Sequence, residues 1–90
     1  MRTRLAAASE RLRSFGVDQV LVFGSVAAGT ASPASDVDLV YRVREGLDFE
    51  HWAALGAAFE AILERVVDAH EVRPSDAPPA GAIVVWRAAP

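Results

Sequence analysis

Two short apolar segments rich in β-branched residues place the strongest constraint on how this chain can fold. Val17–Phe23 and Val37–Val43 are built mainly from valine and leucine with one aromatic residue each, and this composition favours buried β-strands. The first segment ends abruptly at Gly24-Ser25, whereas the second begins beside Asp36 and Asp38. We expect the two strands to pair antiparallel, because this pairing brings the small residues and the aspartates to the same end of the sheet.

Helical periodicity is found on both sides of these strands. Apolar residues spaced three and four apart predict an amphipathic helix over Thr3–Phe15, which Gly16 ends. Ser25–Ala28 has room for one or two helical turns. A longer helix is predicted over Asp48–Val66, with Asp48 as its N-cap. Its predicted core face carries Phe49, Trp52, Leu55, Phe59, Ile62, Leu63 and Val66.

The rest of the chain completes a small mixed fold. Two further strands are predicted at Val66–Val72 and Ala82–Arg87, and the composition of Gly29–Ser35 and Pro74–Gly81 is typical of loops. The long helix can cross over to a parallel third strand. The sequence therefore predicts an α/β (α+β) fold, with a mixed sheet of about four strands and helices packed on it.

Composition limits the size and the partners of the protein. Ninety residues predict a single domain over residues 1–90. Alanine supplies much of the 52% hydrophobic fraction, so the core is small and a stabilising partner is plausible. A net charge of −3 argues against a broad nucleic-acid-binding patch, and we expect no direct nucleic-acid partner.

Two missing residue types exclude several kinds of chemistry. All nine cationic residues are arginine, which excludes Schiff-base lysines and the Walker A lysine. The absence of cysteine excludes thiolate zinc sites and disulfides. The apolar stretch Leu5–Ala8 is too short for a signal peptide, and no run approaches the ~20 residues of a membrane span. We expect a cytoplasmic protein with no membrane partner.

Asp36 and Asp38 are the first candidates for a functional site. They lie two apart at the start of a predicted strand, so both carboxylates are expected on one face with Cα atoms about 6.5–7 Å apart. Such a pair is often only a turn or a cap, but two adjacent anions also attract a cation, and oxygen ligands suit Mg²⁺. Gly24 and Ser25 lie where backbone N–H groups and a hydroxyl can seat a phosphate. A phosphate seat facing metal-binding carboxylates is what phosphoryl transfer requires.

The string V-F-G-S-V-A-A-G-T-A-S-P-A-S-D-V-D-L-V, which starts at Val22, resembles the signature of the DNA polymerase beta-type nucleotidyltransferases. The size of the chain and the order of its elements are similar to those of the minimal nucleotidyltransferases, small proteins commonly encoded beside a HEPN-domain protein. This resemblance implies that Asp36 and Asp38 bind two Mg²⁺ ions, that Asp68 is the third catalytic carboxylate, and that Gly24 and Ser25 hold the triphosphate of ATP.

The resemblance further implies a function for the chain as a whole. A minimal nucleotidyltransferase would move AMP from ATP to a hydroxyl, here a tyrosine of a cognate HEPN ribonuclease toxin, and so act as its antitoxin. A small-molecule acceptor such as an aminoglycoside is a weaker alternative, because we see no second domain that would form a drug pocket.

One departure from the family pattern leaves a further alternative open. Many relatives carry an arginine before the second glycine of the motif, where this chain has Ala28. Arg42 or Arg44 is available to replace it, although arginines in such positions more often belong to a solvated surface. The alternative is a non-catalytic antitoxin or binding module that keeps the fold and neutralises its partner by occlusion.

The remaining candidates are less specific. His70 is expected to share the strand face of Asp68, but a single strand histidine is more often structural than a ligand. His51 is expected on the surface of the long helix. Trp52 and Trp86 fit core positions, with a partner interface as the alternative for each.

Overall fold

The computed structural model describes residues 1–29, 36–44, 46, 48–73 and 75–88. The elements in chain order are α1 (Arg2–Ala7), α2 (Ser9–Ser14), β1 (Val17–Phe23), α3 (Gly24–Ala28), β2 (Val37–Val43), α4 (Phe49–Leu63), β3 (Val67–Glu71) and β4 (Ile83–Arg87). The bounds of β1 and β2 confirm the predicted strands. The predicted loop Gly29–Ser35 lies outside the described residues apart from Gly29.

The four strands form one mixed sheet in the order β3-β2-β1-β4. β1 pairs antiparallel with β2 and with β4, whereas β2 pairs parallel with β3. The parallel pair needs a crossover connection, and α4 supplies it. The structure thus confirms the predicted α/β fold with its mixed four-stranded sheet. None of the helices in the described part of the chain is long and apolar enough to cross a membrane.

The two faces of the sheet are covered unequally. The main core lies on one face, where Leu39 of β2 packs with residues from α1, α2 and α4; its fully buried members include Leu5, Leu12, Val20, Val37, Leu55 and Phe59. The opposite face carries a smaller cluster, to which no helix contributes, made of Leu21, Val40 and Val72 with Phe23, Ala82 and Val84 against them. We call these the helix-covered face and the open face.

The helices deviate from the predicted bounds at two points. The predicted helix over Thr3–Phe15 is divided at Ala8 (φ −100°, ψ 16°), next to Ser9, whose hydroxyl donates to the Ala6 carbonyl at 2.8 Å. A serine hydroxyl bonded to the backbone in this way competes with the helical hydrogen bonds. α4 ends at Leu63 because Glu64 adopts a left-handed conformation, with φ at 53°, which is a common way to end a helix.

The predicted core face of α4 is wrong at both ends. The Phe49 side chain is 78% exposed and Trp52 is 46% exposed, and Val66, in the connection to β3, is 61% exposed. The first buried residue of α4 is Leu55, so the first one and a half turns extend beyond the part of the helix that packs on the sheet. Trp86, in contrast, is buried in the main core as predicted.

Gly56 lies in the middle of α4, and a Cβ added there would meet nothing within 4 Å. Glycine in a helix interior costs up to about 1 kcal/mol relative to alanine. We therefore expect Gly56→Ala to raise the free energy of unfolding, measured by urea denaturation, by about 0.4–1 kcal/mol. A loss of stability would contradict the open space seen beside this glycine.

Asp48 is the N-cap of α4, as predicted. Its Oδ1 accepts a hydrogen bond from the backbone N–H of His51 at 2.8 Å and lies 2.7 Å from His51 Nδ1. The hydrogen bond from the His51 backbone, and then that from its side chain, hold the pKa of Asp48 below the ordinary value of 3.8.

Because the pKa of Asp48 is lowered, the contribution of this N-cap to the stability of the folded state depends on pH. A carboxyl whose pKa is depressed by folding stabilises the folded state above its unfolded pKa, and this contribution is lost as the pH falls through the folded value. We expect Asp48→Ala to be less stable than the wild type at neutral pH, with a difference that shrinks as the pH falls below 3.8. Urea denaturation at a series of pH values measures it, and a difference that does not change with pH would contradict the assignment.

Candidate active site

The register of the sheet brings two of the predicted catalytic carboxylates together. Asp38 of β2 is the direct partner of Asp68 on β3 and, on its other side, of Phe23 on β1. Neighbouring strands lie about 4.8 Å apart, and directly paired residues point to the same face. Because Val37 and Leu39 are buried in the main core, Asp38 points to the open face, and Asp68 with it.

Asp36 lies just before β2, and its side chain is exposed. The chain is held here by the backbone N–H of Val37, which donates to the Val66 carbonyl at 2.9 Å. This bond links the start of β2 to the approach to β3. Asp36 is therefore two residues before Asp38 along the chain, at the same end of the sheet. Its participation with Asp38 and Asp68 in binding a metal stays a prediction.

The Gly24-Ser25 and Asp36/Asp38 parts of the sequence motif were expected to lie together, and the position of Gly24 confirms this. Gly24 has a φ of 68°, and a Cβ built on it would lie 2.8 Å from Asp38 Oδ2. A side chain at this position would strain the backbone and push the Asp38 carboxylate out of its present position, so glycine is favoured here. Ser25 follows within α3, and the role of both residues in holding a triphosphate stays a prediction.

His70 contacts the third carboxylate. Its Nε2 atom lies 3.0 Å from Asp68 Oδ1, and both side chains are more than half exposed. The two residues are two apart on β3, so the predicted shared face is confirmed. An exposed pair of this kind contributes little stability, but it orients the Asp68 carboxylate toward the imidazole.

The donor chemistry of the site fits a hard divalent cation. The three aspartates supply only oxygen atoms, which Mg²⁺ prefers, and Asp38 and Asp68 stand side by side on the sheet. Within the described residues, however, no three His, Cys, Asp or Glu side chains are gathered closely enough to hold a metal ion. The structure thus brings Asp38 and Asp68 together as a pair of carboxylates that suits a divalent cation. Asp36 is not close enough to complete a set of three ligands with them.

The two arginines considered as phosphate ligands are engaged elsewhere. The Arg42 guanidinium donates to the carbonyl oxygens of Arg73 and Asp76, both at 3.0 Å. Arg44 lies just past the far end of β2, with its Nε 3.7 Å from Asp18 Oδ1. Arg42 thus holds the connection between β3 and β4, and Arg44 lies at the end of β2 away from Asp38. These contacts lend no support to the suggestion that either arginine replaces the one missing at Ala28, which stays a prediction.

A cavity of about 520 Å³ lies on the open face and is lined by Phe23 and His70, which are the strand neighbour of Asp38 and the contact of Asp68. Phe23, Val40 and Val72 give it an apolar floor, and His70 and Asp76 lie among its polar lining residues. The sequence analysis missed this cavity. Its apolar floor could have been predicted from β1 and β2, because apolar residues at consecutive positions indicate strands with apolar side chains on both faces of the sheet.

Comparison with known proteins supports the same assignment. The sequence profile described as polymerase beta, nucleotidyltransferase matches residues 9–83, whereas a search of curated proteins finds no significant match. A crystal structure of a toxin-antitoxin with AMP-PNP is similar, with 20% identity, a TM-score of 0.67 and coverage of 96% of this chain and 73% of that chain.

A second similar structure is that of the toxin-antitoxin MntA-HpeT, in a mutant with two aspartates two positions apart replaced by glutamate. It is 15% identical, with a TM-score of 0.69 and coverage of 97% of this chain and 73% of that chain. At these identities the two structures establish a shared fold. Since the family profile matches most of the sequence, this chain belongs to the polymerase beta-type nucleotidyltransferase family.

Proposed function

We propose that the chain, acting as a single domain over residues 1–90, is a Mg²⁺-dependent nucleotidyltransferase that moves AMP from ATP to a hydroxyl of a cognate HEPN-domain toxin and thereby acts as its antitoxin. The observation that carries this proposal is the packing of Gly24 against Asp38, whose neighbour across the sheet is Asp68. Membership of the nucleotidyltransferase family and the shared fold with two toxin-antitoxin structures, one of them with AMP-PNP, support it.

Each residue of the motif has a distinct role in this proposal. Gly24 and Ser25 bind the triphosphate through the backbone at the start of α3. Asp36, Asp38 and Asp68 would hold the divalent metal ions, which supply positive charge that stabilises the developing negative charge on the phosphates. His70 orients the Asp68 carboxylate through the 3.0 Å contact between them.

The transfer requires one bond to form and one to break. The acceptor oxygen forms a bond to the α-phosphorus of ATP, and the bond from that phosphorus to the oxygen bridging to the β-phosphorus breaks, releasing pyrophosphate. The proton of the acceptor hydroxyl passes to the Asp68 carboxylate. The open-face cavity beside His70 offers space for the acceptor group next to this carboxylate, and its apolar floor suits an aromatic side chain such as tyrosine.

A second candidate function is neutralisation of the partner by occlusion, without transfer. It is favoured by the lack of a cationic side chain at Ala28 together with the engagement of Arg42 by two backbone carbonyls. In such a protein the aspartates would be dispensable, whereas the surface that contacts the toxin would not. Substitution of the aspartates therefore separates the two functions.

The test uses the product of the reading frame adjacent to the gene for this chain as the candidate acceptor, with intact-protein mass spectrometry as the readout. We expect the wild type with Mg²⁺ and ATP to add the mass of AMP, and Asp36→Asn/Asp38→Asn to lower the rate at least about 100-fold, since it removes the charges that hold the metal. Asp18→Asn is the matched control, because this aspartate lies at the other end of β1 beside Arg44 and should leave the rate unchanged. Neutralisation by the double variant without any transfer would favour occlusion.

Gly24 and Gly29 give a second, paired test. Both have a positive φ, 68° and 74°, so alanine at either position costs about 1–2 kcal/mol of backbone strain. An added Cβ meets Asp38 Oδ2 at 2.8 Å at Gly24 but nothing within 4 Å at Gly29.

Gly24→Ala is therefore expected to lose about as much stability as Gly29→Ala but, because it displaces the Asp38 carboxylate, to lower transfer at least about tenfold, which corresponds to about 1.4 kcal/mol. Gly29→Ala should stay within about threefold of the wild-type rate, since it leaves the carboxylate in place. Denaturation and transfer assays on the same preparations measure both quantities. Equal effects of the two substitutions on transfer would show that the contact with Asp38 does not matter.

A further inference from the structure

A second groove lies between α4 and β3, the strand at one edge of the sheet, and opens on the helix-covered face; Asp68 of β3 is among its lining residues. Its volume is about 370 Å³. The residues that define it are Trp52, Gly56 and Glu60 from α4, Val67 and Ala69 from β3, and Tyr41 from β2. Neither the sequence motif nor the proposed transfer reaction uses these residues.

Tyr41 supplies the observation that points to a ligand. Its side chain is 1% exposed, and its buried hydroxyl has no hydrogen-bond partner in the described part of the chain. Burial, and then the nearby charge of Glu71, raise the pKa of Tyr41 to about 12, so the hydroxyl keeps its proton. A buried polar group without a partner is costly, and a donor that enters the groove would remove this cost.

The side of the groove formed by α4 carries only small side chains at its centre. Ala53, Gly56 and Ala57 line it, and a Cβ at Gly56 would meet nothing within 4 Å. Neither steric crowding nor backbone strain therefore requires a glycine in the middle of this helix. The missing side chains leave a path for a group from another molecule to reach Tyr41 past the surface of α4.

Exposed aromatic rings stand at the mouth of the groove. Trp52 lines it and is 46% exposed, and the Phe49 ring lies beside it, with ring centroids 5.9 Å apart. Large exposed aromatic side chains are enriched at protein interfaces. The indole of Trp52 is therefore available to stack on a planar group.

The charges of the groove specify the chemistry of its occupant. Glu60 and Asp68 are the acidic residues among the lining residues that the structure describes, and no cationic residue accompanies them. The Asp68 carboxylate points to the open face, so Glu60 supplies the negative charge of the groove. An arginine side chain matches this set: its planar guanidinium stacks on indole, carries positive charge and donates several hydrogen bonds in fixed directions.

We infer that this groove is a docking site for a protein partner, which inserts an arginine side chain between α4 and β3. The guanidinium stacks on Trp52, pairs with the Glu60 carboxylate and donates to the Tyr41 hydroxyl oxygen. The inference goes beyond the proposed transfer reaction and does not require it, because Trp52, Glu60 and Tyr41, which contact the guanidinium, have no role in that reaction.

The test is an NMR titration of the full chain that follows the indole N–H of Trp52. The probes are the capped tripeptide Ala-Arg-Ala and the same peptide with citrulline, which has the shape of arginine without its charge. We expect the arginine peptide to shift the Trp52 signal with a dissociation constant in the millimolar range, and citrulline to bind at least about fivefold more weakly. Trp86, whose Nε1 donates to Ser9 Oγ at 3.0 Å, serves as an internal reference that should not shift.

Three substitutions assign the binding to the groove. Glu60→Gln should reduce affinity for the arginine peptide to that for the citrulline peptide. Glu64→Gln is its matched control one turn further along, where the carboxylate pairs with Arg4, and it should not change affinity. Tyr41→Phe should weaken binding about threefold while leaving stability unchanged or higher, because it removes an unpaired hydroxyl.

Several results would overturn the inference. Equal affinity for arginine and citrulline peptides, or an unchanged preference in Glu60→Gln, would exclude guanidinium recognition at this groove. A loss of stability in Tyr41→Phe would mean that the hydroxyl already has a partner within the chain. Equal binding of the corresponding lysine peptide would replace the arginine assignment with a general attraction for cations.

Discussion

The pairing of β2 along both of its edges is the constraint on which the rest of the structure depends. β1 runs antiparallel on one side and β3 runs parallel on the other, so a single residue, Asp38, has Phe23 and Asp68 as its two neighbours. A slip of one residue would turn every side chain of β2 to the other face. The burial of Val37, Leu39 and Tyr41 against the helices opposes that slip, and core packing therefore fixes the position of the carboxylates.

The same arrangement concentrates negative charge. Asp38 and Asp68 are adjacent on the sheet, whereas the guanidinium of Arg42, four residues after Asp38, donates to the Arg73 carbonyl. His70 contacts Asp68, but this pair is largely exposed and weak. Two neighbouring carboxylates attract a cation, which is consistent with metal-dependent chemistry on this face.

Local sequence signals predicted those parts of the fold that local interactions decide. Runs of β-branched residues bounded by glycine and aspartate predicted the first and last residues of β1 and β2 correctly. Asp48 is the N-cap of α4 as expected. Periodicity also placed Leu55 and Phe59 in the core, but it cannot show how far along a helix the packing partner extends. Phe49 and Trp52 were therefore assigned to the core and are exposed.

The candidate site likewise has some features that the sequence predicts and others that it does not. The meeting of Gly24 with Asp38 followed from the expected antiparallel pairing of β1 and β2. The family resemblance implied a catalytic role for Asp68, but its direct pairing with Asp38 is seen only in the structure. The hydrogen bonds of Arg42 were not predictable, since its partners are carbonyl groups more than 30 residues away in the chain. Long-range contacts of flexible side chains leave no periodic signal in the sequence.

Strand β3 links the two surfaces that this structure presents. Asp68 and His70 point to the open face, whereas Val67 and Ala69 line the groove beside α4. β3 is only five residues long, is paired in the described sheet through β2, and contains no fully buried residue, so it depends on few contacts for its order. A group that fills the groove adds contacts to the back of this strand, where Asp68 itself is a lining residue, and would thereby restrict the motion of Asp68. Docking and chemistry can therefore be coupled through five residues of one edge strand.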